Sequence, residues 1–158
     1  MSAPPDASAG PATRIDYYVL ADGARGTAQH LACRIAGKAH ALGHTIYLHT
    51  NSAAEARELD ALLWTFSETS FVPHALASGL DDERALARTP VRIGHGAAPG
   101  ASAELLINLA ADVPDFFTRF DRVAEVVDTD EGRRARGRAR YREYRERGYA
   151  IDMHTIER

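Results

Sequence analysis

One cysteine, one lysine and one tryptophan among 158 residues are the first scarcities of this sequence. A lone thiol, Cys33, cannot close an intrachain disulfide, so the fold has to be held by packing. No apolar run reaches the roughly 18 residues needed to cross a bilayer, and no basic-apolar-small leader opens the chain, which makes a cytoplasmic protein the expectation. The usual phosphate loops are missing as well. Asp22-Gly23-Ala24-Arg25-Gly26 lacks the three-glycine spacing that brings backbone to a pyrophosphate, and no Gly-rich run ends in Lys-Ser or Lys-Thr. Gly94-His95-Gly96 and Gly100 fall between two strands and not at a helix N-terminus, so they read as a surface turn.

Catalytic patterns are equally scarce. Of seven histidines, His40 and His44 have the spacing of one helical face, but Gly43 lies between them and no His-Glu-x-x-His pattern exists. His74, after Pro73, reads as structural. There is no Gly-x-Ser-x-Gly elbow, and Asp81-Asp82-Glu83 has the look of a helix start. The residues therefore predict no catalytic group, no cofactor and no metal.

What is present is the composition of one ordinary globular domain, 45% hydrophobic and 26% charged. A chain of this size buries roughly 70% of its unfolded surface, enough for a core without staples. The net charge of −3 is unevenly spread. Glu131 to Arg147 holds eight Arg against three Glu, a local balance of +5, while the rest carries 11 basic and 19 acidic groups. A mildly acidic body thus bears one basic element.

Residues 1–13, with Pro4, Pro5, Gly10 and Pro11 among Ala and Ser, show no apolar period and read as a disordered tail before a single domain at 14–158. Ile15 to Leu20 predicts a strand ending at Asp22-Gly23. Ala28, Leu31, Ala32, Ile35, Ala36, Ala39 and Leu42 recur at helical spacing before Gly43. Thr45 to His49 reads as a strand, and Ser52 as the cap of a helix striped by Ala56, Leu59, Leu62, Leu63 and Phe66. A loop-like stretch through Thr89 follows, with a helical turn around Asp82 to Ala87. Further strands are predicted at Val91–Ile93, Glu104–Leu109 and Val123–Val127, with a short helix after Pro114 and a basic helix capped by Asp128 or Thr129. This alternation predicts an α/β, three-layer, Rossmann-like fold with a mostly parallel sheet of about five strands and helices on both faces.

Two surfaces carry candidate function. Trp64 falls about 140° from the stripe begun by Leu59, which leaves it either exposed, as an anchor for a partner together with Phe71, Val72 and Pro73, or covered by the loop that follows. On the last helix Arg134, Arg138, Tyr141, Arg142 and Arg145 share roughly a 100° arc. That arc is either a solvated helix face or a receptor for an acidic ligand, with Arg supplying charge-assisted hydrogen bonds and Tyr an apolar floor. Without a wide apolar stripe the helix is expected to be largely exposed, unless Ala135, Ala139 and the tyrosines supply its packing face.

Leu62-Leu63-Trp64, Ser70-Phe71-Val72-Pro73-His74 and the ending Arg138-Ala139-Arg140-Tyr141-Arg142-Glu143-Tyr144-Arg145-Glu146-Arg147-Gly148-Tyr149 together resemble the chi subunit of bacterial DNA polymerase III. Ile15 to Leu20, Leu59-Asp60, and Ile107-Asn108-Leu109 before Pro114 extend the likeness over nearly the whole chain. The resemblance implies a non-catalytic accessory subunit of the clamp-loader complex, cytoplasmic and nucleoid-associated through the replisome, on a Rossmann-like fold that binds no nucleotide. It implies that the basic helix receives the acidic, Phe-ending tail of single-stranded DNA-binding protein. Arg134, Arg138 and Arg142 would supply basic contacts, Tyr141 the aromatic and Val127 a wall of the Phe pocket, with Arg138 on the terminal carboxylate. It further implies that Trp64, Phe71, Val72 and Pro73 dock a psi subunit. The N-terminal tail departs from the family pattern. The alternative reading is a direct nucleic-acid-binding protein using the same Arg/Tyr helix, against which the acidic body speaks.

Overall fold

The computed structural model describes residues 13–66, 72–77, 83–100 and 103–157. Its elements run β1 (Arg14–Leu20), α1 (Ala28–Ala41), β2 (Ile46–Thr50), α2 (Ala53–Thr65), β3 (His74–Leu76), α3 (Glu83–Arg88), β4 (Val91–His95), β5 (Leu105–Asn108), β6 (Arg122–Val127), α4 (Glu131–Glu146) and β7 (Ile151–Ile156). A single turn of 3-10 helix lies at Phe117–Arg119. The strands form one sheet in the order β3-β4-β2-β5-β6-β1-β7, and every pairing is parallel.

Strand alternation divides the core in two. Leu48, Ile93, Ile107 and Val126 point to the face covered by α1 and α2, where Leu31, Ala32, Ala36, Leu59 and Leu63 meet them. Tyr17, Leu106, Val123 and Val127 point to the other face, against Phe117, Phe120 and Tyr144. The result is the expected α/β three-layer arrangement, with seven strands where the sequence suggested about five. The two additional strands are the sheet's edges. β3 is three residues long, and β7 carries only Ile151 and Ile156 as partly buried apolar residues around exposed Asp152, Met153, His154 and Thr155.

Helix boundaries follow their caps. Thr27 and Ser52 cap α1 and α2, each side-chain oxygen accepting from the backbone N–H three residues on. Leu42, counted in the predicted stripe of α1, falls one residue past its end and is 70% exposed. The cap of α4 is Asp130, whose carboxylate accepts from Arg133 N at 2.9 Å, and not Asp128 or Thr129. Thr13, placed with the tail by its neighbours, is buried at the foot of β1 and donates its hydroxyl to Phe120 O at 2.8 Å. Among the described residues no helix is long and apolar enough to cross a membrane.

Candidate functional site: the outer face of the last helix

α4 docks without an apolar stripe, and Ala135 and Ala139 are exposed. Its packing face is Gly137, Arg140 and Tyr144. Gly137 permits contact so close that an added Cβ would lie 2.9 Å from a Val127 methyl, and its carbonyl accepts the Tyr17 hydroxyl at 3.0 Å. Arg140 and Tyr144 reach Glu125, a fully buried carboxylate on β6. Arg140 Nε donates to Glu125 Oε1 at 2.8 Å, while Tyr144 Oη and Asn108 Nδ2 donate to Oε2 at 2.7 and 2.9 Å. Burial pushes the Glu125 carboxyl up, opposed by the Arg140 charge and by hydrogen bonds from Asn108 and Tyr144. All three partners are donors, an arrangement that suits an ionised, acceptor-only carboxylate. The same burial, reinforced by Glu125, pushes the Tyr144 hydroxyl well above its ordinary range, so it remains a donor.

The start of α4 is stitched to the ends of β1 and β6 and to the start of α1. Asp128 Oδ2 accepts from Ala28 N, the first amide of α1, and from Arg133 Nη1, both at 3.1 Å. The position at which a helix N-terminus would greet a phosphate therefore holds a carboxylate of the chain itself. Gly23 and Gly26, in the preceding loop, adopt φ of +82° and +107° and make a turn and no phosphate cradle. Arg134 bridges Asp22 Oδ1 at 2.7 Å, Leu20 O at 2.9 Å and Asp128 O at 3.1 Å.

With Arg133, Arg134 and Arg140 so engaged, the outward residues are sharply sorted. Arg138 and Arg142 are exposed and have no ion-pair partner among the described residues. Tyr141 beside them is half-buried, edge-on to Tyr17 at 5.5 Å, with the Arg145 guanidinium 5.9 Å from its ring centre. Val127, expected as a pocket wall, is 5% exposed and lies beneath Gly137, so it underlies the helix and does not line its outer face.

The second surface is only partly assembled. Trp64 is 59% exposed and meets His74 edge-on at 4.9 Å. His74 is structural, its ring nitrogens 2.6 Å from Val72 O and 3.0 Å from Asp60 O. Pro73 is half-buried, whereas Val72 is 2% exposed and belongs to the core near Gly37. Phe71 lies outside the described residues. Cys33 is buried, which pushes its thiol up to about 12, far from nucleophilic use. No cluster of three metal-ligating side chains occurs among the described residues.

Sequence reasoning missed the buried set Glu125, Arg140, Tyr144 and Gly137. A signal was available, since Glu125 interrupts the otherwise apolar run Val123 to Val127 and needs a cation from somewhere.

Comparison with known proteins gives this geometry a family. Residues 12–152 match the family described as DNA polymerase III chi subunit, HolC. The chain belongs to that family. It is similar to the DNA polymerase III subunit chi of Pseudomonas aeruginosa, 40% identical over 92% of this chain and 99% of that protein. The chi subunit of Haemophilus influenzae is 28% identical over 89% of this chain and 95% of its own length. That of Escherichia coli K12 is 30% identical over 89% and 93%. Among solved structures, one described as the crystal structure of T4 UvsW superposes with a TM-score of 0.64 at 10% identity, covering 92% of this chain and 42% of the other. That likeness is one of fold alone. Family membership places the chain among the accessory subunits of DNA polymerase III, and so in DNA replication.

Proposed function

We propose that the chain is a non-catalytic subunit of the clamp-loader complex whose α4 receives the acidic, Phe-ending tail of single-stranded DNA-binding protein, tethering the replicase to coated template. The observation that carries this reading is the sorting of the arginines. Arg133, Arg134 and Arg140 are neutralised within the fold, while Arg136, Arg138 and Arg142 stand exposed with no acidic partner among the described residues, and of these Arg138 and Arg142 flank Tyr141. Unneutralised guanidinium groups flanking an aromatic ring suit a ligand that brings carboxylates and an apolar end. Arg138 takes the terminal carboxylate, Arg142 an upstream acidic residue, and Arg134, tethered to Asp22 and Leu20, adds a basic contact at the start of the helix. Val127 supports the site from below. The exposed Trp64, with Pro73, is the surface for a psi subunit.

A fluorescent peptide carrying that acidic tail tests the proposal when compared with the same peptide lacking its terminal Phe. Saturable micromolar binding of the intact peptide alone, weakening with salt, is expected. Equal binding of both peptides overturns the tail reading. Preferential binding of single-stranded DNA, with a steep salt slope, would transfer the helix to direct nucleic-acid recognition.

A further inference from the structure

The carboxyl ends of β2, β4 and β5 border an open cleft of about 580 Å³ that lies apart from the outer face of α4. Parallel α/β sheets take ligands at such ends where neighbouring strands send the chain to opposite faces. That happens here: β2 leads into α2 on one face, whereas β5 leads to the 3-10 turn on the other.

The cleft contains a polar side chain with nothing to bind. His49 is 6% exposed, its Nδ1 is buried without a partner, and neither ring nitrogen is hydrogen-bonded among the described residues. Burial, then the neighbouring His95, pushes the imidazole down to about 4, so at neutral pH it is uncharged and offers an acceptor. The Thr50 hydroxyl and the Asn51 side-chain oxygen nearby are already engaged. The Thr50 hydroxyl donates to Gly94 O at 2.9 Å, and Asn51 Oδ1 accepts from Ala111 N at 2.8 Å. The charged side chains in the lining are the exposed carboxylates Asp112 and Asp115. Phe116 forms an aromatic wall, 5.1 Å from His49 and perpendicular to it.

An anion would meet two carboxylates and no cation in this cleft. A donor-rich cation would be matched, and a planar one could lie along the Phe116 ring while reaching the unpaired imidazole. We propose that the cleft binds the guanidinium group of an arginine side chain presented by a partner polypeptide, with Asp112 and Asp115 receiving it at the mouth, Phe116 along its plane and His49 accepting the innermost N–H.

The test uses the full chain, titrated with N-acetylarginine methylamide while the imidazole ¹⁵N resonances are followed by NMR. Saturable movement of the His49 signals is expected. The capped lysine analogue should bind at least about fivefold more weakly, lacking the planar fork, and capped glutamate should leave His49 unmoved. The double variant Asp112→Asn/Asp115→Asn alters exposed side chains only and should lower affinity about tenfold or more. Stationary His49 signals, equal response to glutamate, or unaltered affinity of the double variant would each overturn the proposal. Binding of agmatine without binding of the capped arginine would overturn its polypeptide source.

Discussion

α1 and α4 cover opposite faces of one sheet by different chemistry. α1 buries Ala28, Leu31, Ala32, Cys33, Ala36 and Ala39, a stripe of small and aliphatic side chains. α4 buries Gly137, Arg140 and Tyr144, and its contact is a close backbone approach plus a carboxylate satisfied by three donors. The first is a non-directional contact whose strength follows area. The second fixes register, because Arg140 and Tyr144 must both find Glu125. The directional contact also leaves the rest of the helix free of apolar demands, which is why its outer surface can be almost wholly basic.

The sharpest way to break the contrast is Arg140→Ala. It strands Glu125 in the interior and should cost about 3–5 kcal/mol in chemical denaturation. Leu31→Ala on the opposite face should cost about 2–4 kcal/mol as a cavity, with no anomaly in pH dependence. Gly137→Ala should cost about 1–3 kcal/mol by forcing a methyl onto Val127, although alanine favours helices in isolation. A gain in stability there would mean that close approach does not hold α4 down. Arg138→Ala should leave stability within about 0.5 kcal/mol. Its affinity for the acidic tail peptide should nevertheless fall roughly ten- to a hundredfold, corresponding to one lost charge-assisted contact. Cys33 provides a quiet readout for the series. Buried on the inner face of α1, it should stay unreactive to alkylation at about pH 8 in native protein, and a rise in rate would mark loss of that face too.

The same contrast governs what could be read in the sequence. The stripes of α1 and α2 and the apolar strands β1, β2, β4, β5 and β6 were visible because their burial is hydrophobic and periodic. β7 escaped because an edge strand needs apolar residues on few of its positions, and Asp152, His154 and Thr155 dilute the pattern. β3 is too short to show a period. The basic run of α4 was legible as a surface, but not the division of labour within it. Arg140 and Arg138 are two residues apart and chemically identical, and only the third dimension sends one to Glu125 and the other to solvent. Val72 misled in the opposite direction, since a partner motif written as consecutive letters mixes core and surface residues.

The stitching of α4 has a mechanical meaning. Arg134 grips the end of β1, Tyr17 of β1 holds Gly137, and Glu125 of β6 holds Arg140 and Tyr144. Traction on the exposed side of the helix is therefore shared among several attachments along its length and delivered to two adjacent interior strands, β1 and β6. Such a linkage resists peeling, because no single contact bears the full force before the next is engaged.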